Sequence, residues 1–147
     1  TTGQIAGWRE LNDLAKAFRN PEAQEPRARA AFDLLHGEAP ISARFAAWCD
    51  ALDRFDIAKW PIATMPLFLC HRDTHLVIKP SVLKAAAEAC GSPLLYDPKP
   101  NWSSYDSALS FARRLMNDLS SLNPRDMIDI HSFMWGIRPL TLTHNSG

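Results

Sequence analysis

The chain has 147 residues, of which 46% are hydrophobic and 22% charged. That is enough apolar mass to bury a core, which excludes chain-wide disorder. Sixteen Lys and Arg balance sixteen Asp and Glu, which argues against a histone-like basic protein.

In chain order, the pattern predicts a mainly α fold: one domain over residues 1–140, five to six helices, an irregular proline-rich middle and at most a small two-stranded β element. Trp8, Leu11, Leu14, Ala15 and Phe18 share one helical face. Asn20, Pro21 and Glu22 read as cap, first-turn proline and first-turn acid of a second helix, which runs to His36 and stops at Gly37. Phe45, Trp48, Cys49, Leu52 and Phe55 make a third stripe, opened by Ser42.

From Trp60 to Pro100 the character changes, since six of the eleven prolines fall here. Proline fixes its own backbone and restricts the residue before it, so this region is expected to break into short pieces. Leu76 to Lys79 and Leu94 to Tyr96 read as short extended segments. Between them, Pro80 opens a helix carrying Val82, Leu83, Ala86 and Cys90, and Gly91 ends it.

The last third is helical again. Ser103 and Asp106 read as a capping box, followed by a stripe of Ala108, Phe111, Ala112, Leu115, Leu119 and Leu122. Asn123, Pro124 and Asp126 repeat the start signal for a helix holding Met127, Ile130, Met134 and Trp135. Residues 141–147 are polar and expected to fray. Trp60, Phe68, Tyr96, Trp102, Phe111 and Trp135 are the expected aromatic anchors.

The longest apolar run, around Ile62 to Cys70, is interrupted by Thr64 and Pro66. It falls short of the roughly 18 residues of a membrane span, so no membrane contact is expected. The N-terminal residues show no basic segment followed by an apolar one. Cys49, Cys70 and Cys90 lack CxxC spacing and are expected as three buried or half-buried thiols. Both features fit a cytoplasmic setting.

Chemistry is sparse. His71, Asp73 and His75 form an H-x-D-x-H string. In an extended strand all three side chains share a face, and imidazole with carboxylate suits zinc or iron, the basis for a metal-dependent hydrolase as an alternative reading. The plainer reading is a polar turn with solvated side chains. Asp126 and Asp129 suit a helix N-terminus better than acid–base work, and His131 suits a core. The chain has no GxGxxG, GxxxxGK[ST] or HExxH, and no cofactor is expected.

The remaining constellation is basic and aromatic. Lys79, Lys84, Lys99, Trp102, Tyr105, Arg113 and Arg114 lie within residues 59–114, which carry seven basic and four acidic side chains, a net of plus three. Cations meet phosphates and aromatic rings stack on bases, so this set is the candidate nucleic-acid surface, with DNA favoured over RNA. Core aromatics beside the wet face of a helix are the plainer reading of the same residues.

Trp60-Pro61, Phe68-Leu69, His75, Lys79-Pro80, Tyr96, Pro100-Asn101-Trp102 and Tyr105, closing with Arg125 to Ile130, Ser132, Phe133 and Trp135, form one pattern. Over about residues 28–137 it resembles an uncharacterised bacterial protein family, which implies no established activity. A looser likeness, in spacing and aromatics, is to helical modules of modification-dependent restriction ATPases and nucleases. It implies a DNA-linked or defence-linked accessory role; His71 and Asp73 lie outside both patterns. The expectation is therefore a non-catalytic helical accessory domain contacting nucleic acid or a protein partner, with a pure protein-interaction module as a further alternative.

Overall fold

The computed structural model describes residues 21–137, together with the helical positions Asn12, Ala15 and Arg19 before them. Most of the first expected stripe and the tail at 141–147 lie outside the described residues; Ala15, counted on that stripe, is exposed. The described residues form six α-helices: α1 (Pro21–His36), α2 (Ile41–Asp53), α3 (Trp60–Cys70), α4 (Pro80–Ala89), α5 (Trp102–Asp118) and α6 (Met127–Ile137), with a 3₁₀ turn at Ser120–Leu122. α1 lies on α2 and α3, α4 on α6, and α5 on both α2 and α6.

The helix starts follow local chemistry. Pro21 opens α1, and at its end Gly37 N–H donates to Asp33 O at 2.8 Å. A Cβ at Gly37 would sit 2.5 Å from that same oxygen, so the chain needs glycine there. α2 starts at Ile41 behind Pro40 and has no side-chain cap, which corrects the role expected of Ser42. The turn that follows it closes on Asp56, whose φ of 55° takes the left-handed place usually held by glycine, with Ile57 N bonded to Leu52 O. Phe45, Trp48, Cys49 and Leu52 of its stripe are buried. Phe55 is half-open, and the buried Arg27 of α1 lays its guanidinium 4.1 Å over that ring.

α3 overturns the expected break-up of the proline-rich middle. Pro61 sits in the first turn, where its missing N–H costs nothing. Pro66 lies inside the helix and is tolerated there. Trp60, Pro61, Ile62, Ala63, Thr64, Leu67 and Phe68 are all buried. A helix covered on nearly every side has no apolar stripe to read.

The expected β element does not form among the described residues. The segments around Leu76 and Leu95 are irregular and give backbone groups to helix side chains. Ile78 N donates to Thr64 Oγ1 at 2.9 Å, Leu76 O accepts from Tyr105 Oη at 2.9 Å, and Leu95 N donates to Ser107 Oγ at 3.0 Å. Thr64 Oγ1 in turn donates to Trp60 O. Thr64→Val is expected to cost about 1–3 kcal/mol, because it leaves the buried Ile78 N–H without an acceptor. Thr64→Ser, which keeps the hydroxyl, should recover part of that loss, and urea unfolding of the two variants checks it.

α4 begins at Pro80 as expected and closes in a Schellman turn: Ser92 N bonds Ala87 O, Gly91 N bonds Glu88 O, and Gly91 has φ 58°. α5 is capped by Asn101, whose side chain accepts from Ser104 N, in place of the expected Ser103 box. α6 is capped by Asp126, whose carboxylate accepts from Ile128 N at 2.9 Å. Asn123, expected as that cap, is instead left-handed at the end of the 3₁₀ turn. The Phe111 stripe is buried through Leu115, whereas Leu119 is half-buried and Leu122 exposed. Of the six expected anchors, Trp60, Phe68 and Phe111 are buried, and Tyr96, Trp102 and Trp135 are half-buried against the core. Cys49 is buried, but Cys70 and Cys90 are exposed, against the expectation for all three.

Candidate functional site

Tyr105 is the centre of the fold's aromatic cluster. Its ring is 0% exposed, stacks on Phe45 at 5.0 Å and meets Trp102 edge-on at 5.8 Å. The hydroxyl donates to Leu76 O, so its oxygen is left to accept from His75 Nδ1 at 3.2 Å. His75 therefore carries its proton on Nδ1. A ring enclosed in this way has no face for a base, which corrects the stacking role expected of Tyr105. Trp102, half-buried beside it, packs edge-on against Phe45 as well.

The basic residues expected to meet phosphates are each held by a different neighbour. Lys99 Nζ lies 2.7 Å from Asp53 Oδ2, and that hydrogen bond raises the lysine pKa. Arg113 pairs with Asp106 at 3.7 Å and donates to Ser110 Oγ at 3.0 Å. Lys79 lies over Trp135 at 5.2 Å, Lys84 over Tyr96 at 4.8 Å. Arg114 donates to Ser92 Oγ at 2.7 Å. α4 and α5 together carry Lys84, Arg113 and Arg114 against Glu88, Asp106 and Asp118, so their charges cancel.

The H-x-D-x-H string is a turn rather than a strand: His75 N bonds His71 O at 2.9 Å. His71 and Asp73 are exposed, while His75 is half-buried against Tyr105. The two imidazole rings lie 6.1 Å apart. Among the described residues, no three His, Cys, Asp or Glu side chains come together as a metal site. Among the described residues, the string thus lacks the three convergent ligands on which the hydrolase reading depended.

Two features were not anticipated from the sequence. The first is a cleft of about 320 Å³ between the turn closing α4 and one face of α5. Ser92, Ser107, Ser110, Phe111 and Arg114 line it. Ser107, Ser110 and Arg114 are spaced three and four apart, so helical periodicity already places them together. The second is the end of the molecule where α3 runs out. There Met127 N bonds Arg72 O at 3.0 Å, and Arg72 lies 3.7 Å from Asp126. These contacts join the loop after Leu69 to the connection carrying Leu122. Both leucines are open, at 69% and 73% exposure.

Among the described residues, no helix is long and apolar enough to cross a membrane. Comparison of the chain with protein-family models, curated proteins and solved structures finds no match.

Proposed function

We propose that the chain is a non-catalytic helical accessory module and that its partner is a protein. The carrying observation is two open leucines, Leu69 in the last turn of α3 and Leu122 in the 3₁₀ turn, each followed by a connection that the contacts of Arg72 with Met127 and Asp126 tie together. Exposed apolar side chains with charged residues near them in the chain, here Arg72 after Leu69 and Arg125 after Leu122, are the chemistry of a protein contact. Charge favours a protein over nucleic acid as the leading partner in this reading. A phosphate-tracking surface needs an excess of unengaged cations, whereas the charges of α4 and α5 cancel and Lys99 and Arg113 are paired with acids. The resemblance to helical modules of restriction systems supports the accessory role, in a bacterial and DNA-linked setting.

Two measurements test this. A photocrosslinking residue placed at Leu69 or Leu122 of the full chain in its native cell should give a discrete protein adduct, and one placed at Lys84 should not. Anisotropy with labelled single- and double-stranded DNA and RNA, at about 50 and 200 mM salt, should show no binding that weakens steeply with salt. Salt-sensitive binding that disappears when Lys79, Lys84, Lys99, Arg113 and Arg114 are changed to alanine would instead establish the nucleic-acid reading.

A further inference from the structure

The cleft between α4 and α5 is built from donors. Ser92 Oγ accepts from Arg114 Nη2 at 2.7 Å, Ser107 Oγ from Leu95 N at 3.0 Å, and Ser110 Oγ from Arg113 Nη2 at 3.0 Å. A hydroxyl whose oxygen already accepts still has its own O–H to give. Three such hydroxyls line one cleft with a guanidinium.

Arg114 differs from its neighbours in how it is held. Arg113 and Lys99 have carboxylate partners, whereas Arg114 rests on the neutral Ser92 hydroxyl with its carbon centre 6.0 Å from the Phe111 ring. Asp118 also lines the cleft, four residues further along α5, yet makes no ion pair with Arg114. The guanidinium therefore has no carboxylate partner and keeps unused N–H groups in a fork suited to an oxyanion. Gly91 leaves the rim of the cleft open, with nothing within 4 Å of where a Cβ would stand. A volume near 320 Å³ suits a small molecule and is too small for a folded partner.

We propose that this cleft is a binding site for the oxyanion group of a small molecule, a phosphate or a carboxylate. Arg114 supplies the charge and Ser92, Ser107 and Ser110 supply hydroxyl donors. Asp118, one turn along α5 from Arg114, also lines the cleft and disfavours a second anionic group on the ligand. This site is independent of the leucine-bearing end, so either assignment can fail alone.

The test uses the full chain and two probes, inorganic phosphate and acetate, followed by amide chemical shifts against chloride at matched ionic strength. Shifts that saturate at about millimolar concentration and are confined to Gly91, Ser92, Ser107, Ser110 and Arg114 are expected from at least one probe. Whichever probe binds identifies the oxyanion. Arg114→Gln should weaken binding about tenfold or more, Arg114→Lys by less, and Ser107→Ala with Ser110→Ala should weaken it while leaving the bond between Arg114 and Ser92 in place. Arg114 is exposed, so its variants should keep the parent spectrum elsewhere. Absence of saturable shifts with both probes, or shifts that survive Arg114→Gln, overturns the proposal.

Discussion

Tyr105→Ala is expected to cost about 3–5 kcal/mol, the range for deleting a fully buried aromatic side chain. A domain of this size has roughly 5–15 kcal/mol of stability, so the variant should be close to unfolding at ambient temperature. The loss has two parts. The ring fills the space between Phe45, Trp102, Trp60 and His75, and its removal opens a cavity among them. The hydroxyl holds the segment at Leu76 to α5, and its removal strands a buried carbonyl. Tyr105→Phe separates them, keeping the ring and losing only the hydroxyl, at about 1–3 kcal/mol. Burial pushes the Tyr105 phenol pKa well up, so the hydroxyl remains a donor across the accessible pH range. Urea midpoints for the two variants check both values. An alanine variant as stable as the parent would remove Tyr105 from the core and restore it as a candidate for base stacking.

Tyr105 also illustrates how much of the fold the sequence carried. Tyr105, Ala108, Ala112 and Leu115 are spaced three, four and three apart, so the tyrosine belongs to the buried stripe of α5. Its residue type suggested a surface role that its spacing did not support. The amphipathic helices α2, α4 and α5 were legible because each buries one face. α3 was not, because burial on nearly all sides leaves no periodicity and Pro66 reads as a breaker. Leu76 to Lys79 and Leu94 to Tyr96 read as short extended segments because they are mostly apolar. What keeps them from pairing is the hydroxyl groups of Thr64, Tyr105 and Ser107, which lie 12 to 29 residues away from the backbone groups they bond. The caps failed for a nearer reason: Asn101, Ser103 and Ser104 compete within four residues, and only Asn101 has the extended backbone that lets its side chain reach Ser104 N. The candidate sites were least legible. Basic residues collected by sequence proximity disperse onto separate partners, and the cleft unites Ser92 with Arg114 across 22 residues of chain.

Acidification from about pH 7 to about pH 5 is expected to weaken the fold before most of the carboxylates titrate. Two imidazoles are the cause. His75 is half-buried against Tyr105, with its pKa pulled from 6.5 to about 4, first by burial and then by the positive charges of His71 and Arg113. His131, 5% exposed on α6, has no hydrogen-bond partner on Nε2. Burial lowers its pKa, and Lys79 adds to that. Neither shift comes with an acidic neighbour that would favour the charged ring. The sign follows from proton counting. Between about 6.5 and 4 the unfolded chain binds a proton at His75 that the folded chain refuses, so stability falls as pH falls through that window and levels off below it. His131 adds to the loss at His75 in the same direction. Asp129, held below the usual carboxylate range by its bond to Arg125, acts only in more acidic solution. His75→Gln keeps a donor for the Tyr105 oxygen and cannot take up the proton, and His131→Met replaces the unpartnered imidazole with an uncharged side chain. Urea midpoints of the double variant at the two pH values should differ far less than those of the parent chain. An equally large fall in the double variant would place the acid-sensitive groups elsewhere and leave the two histidines as passive fillers of their sites.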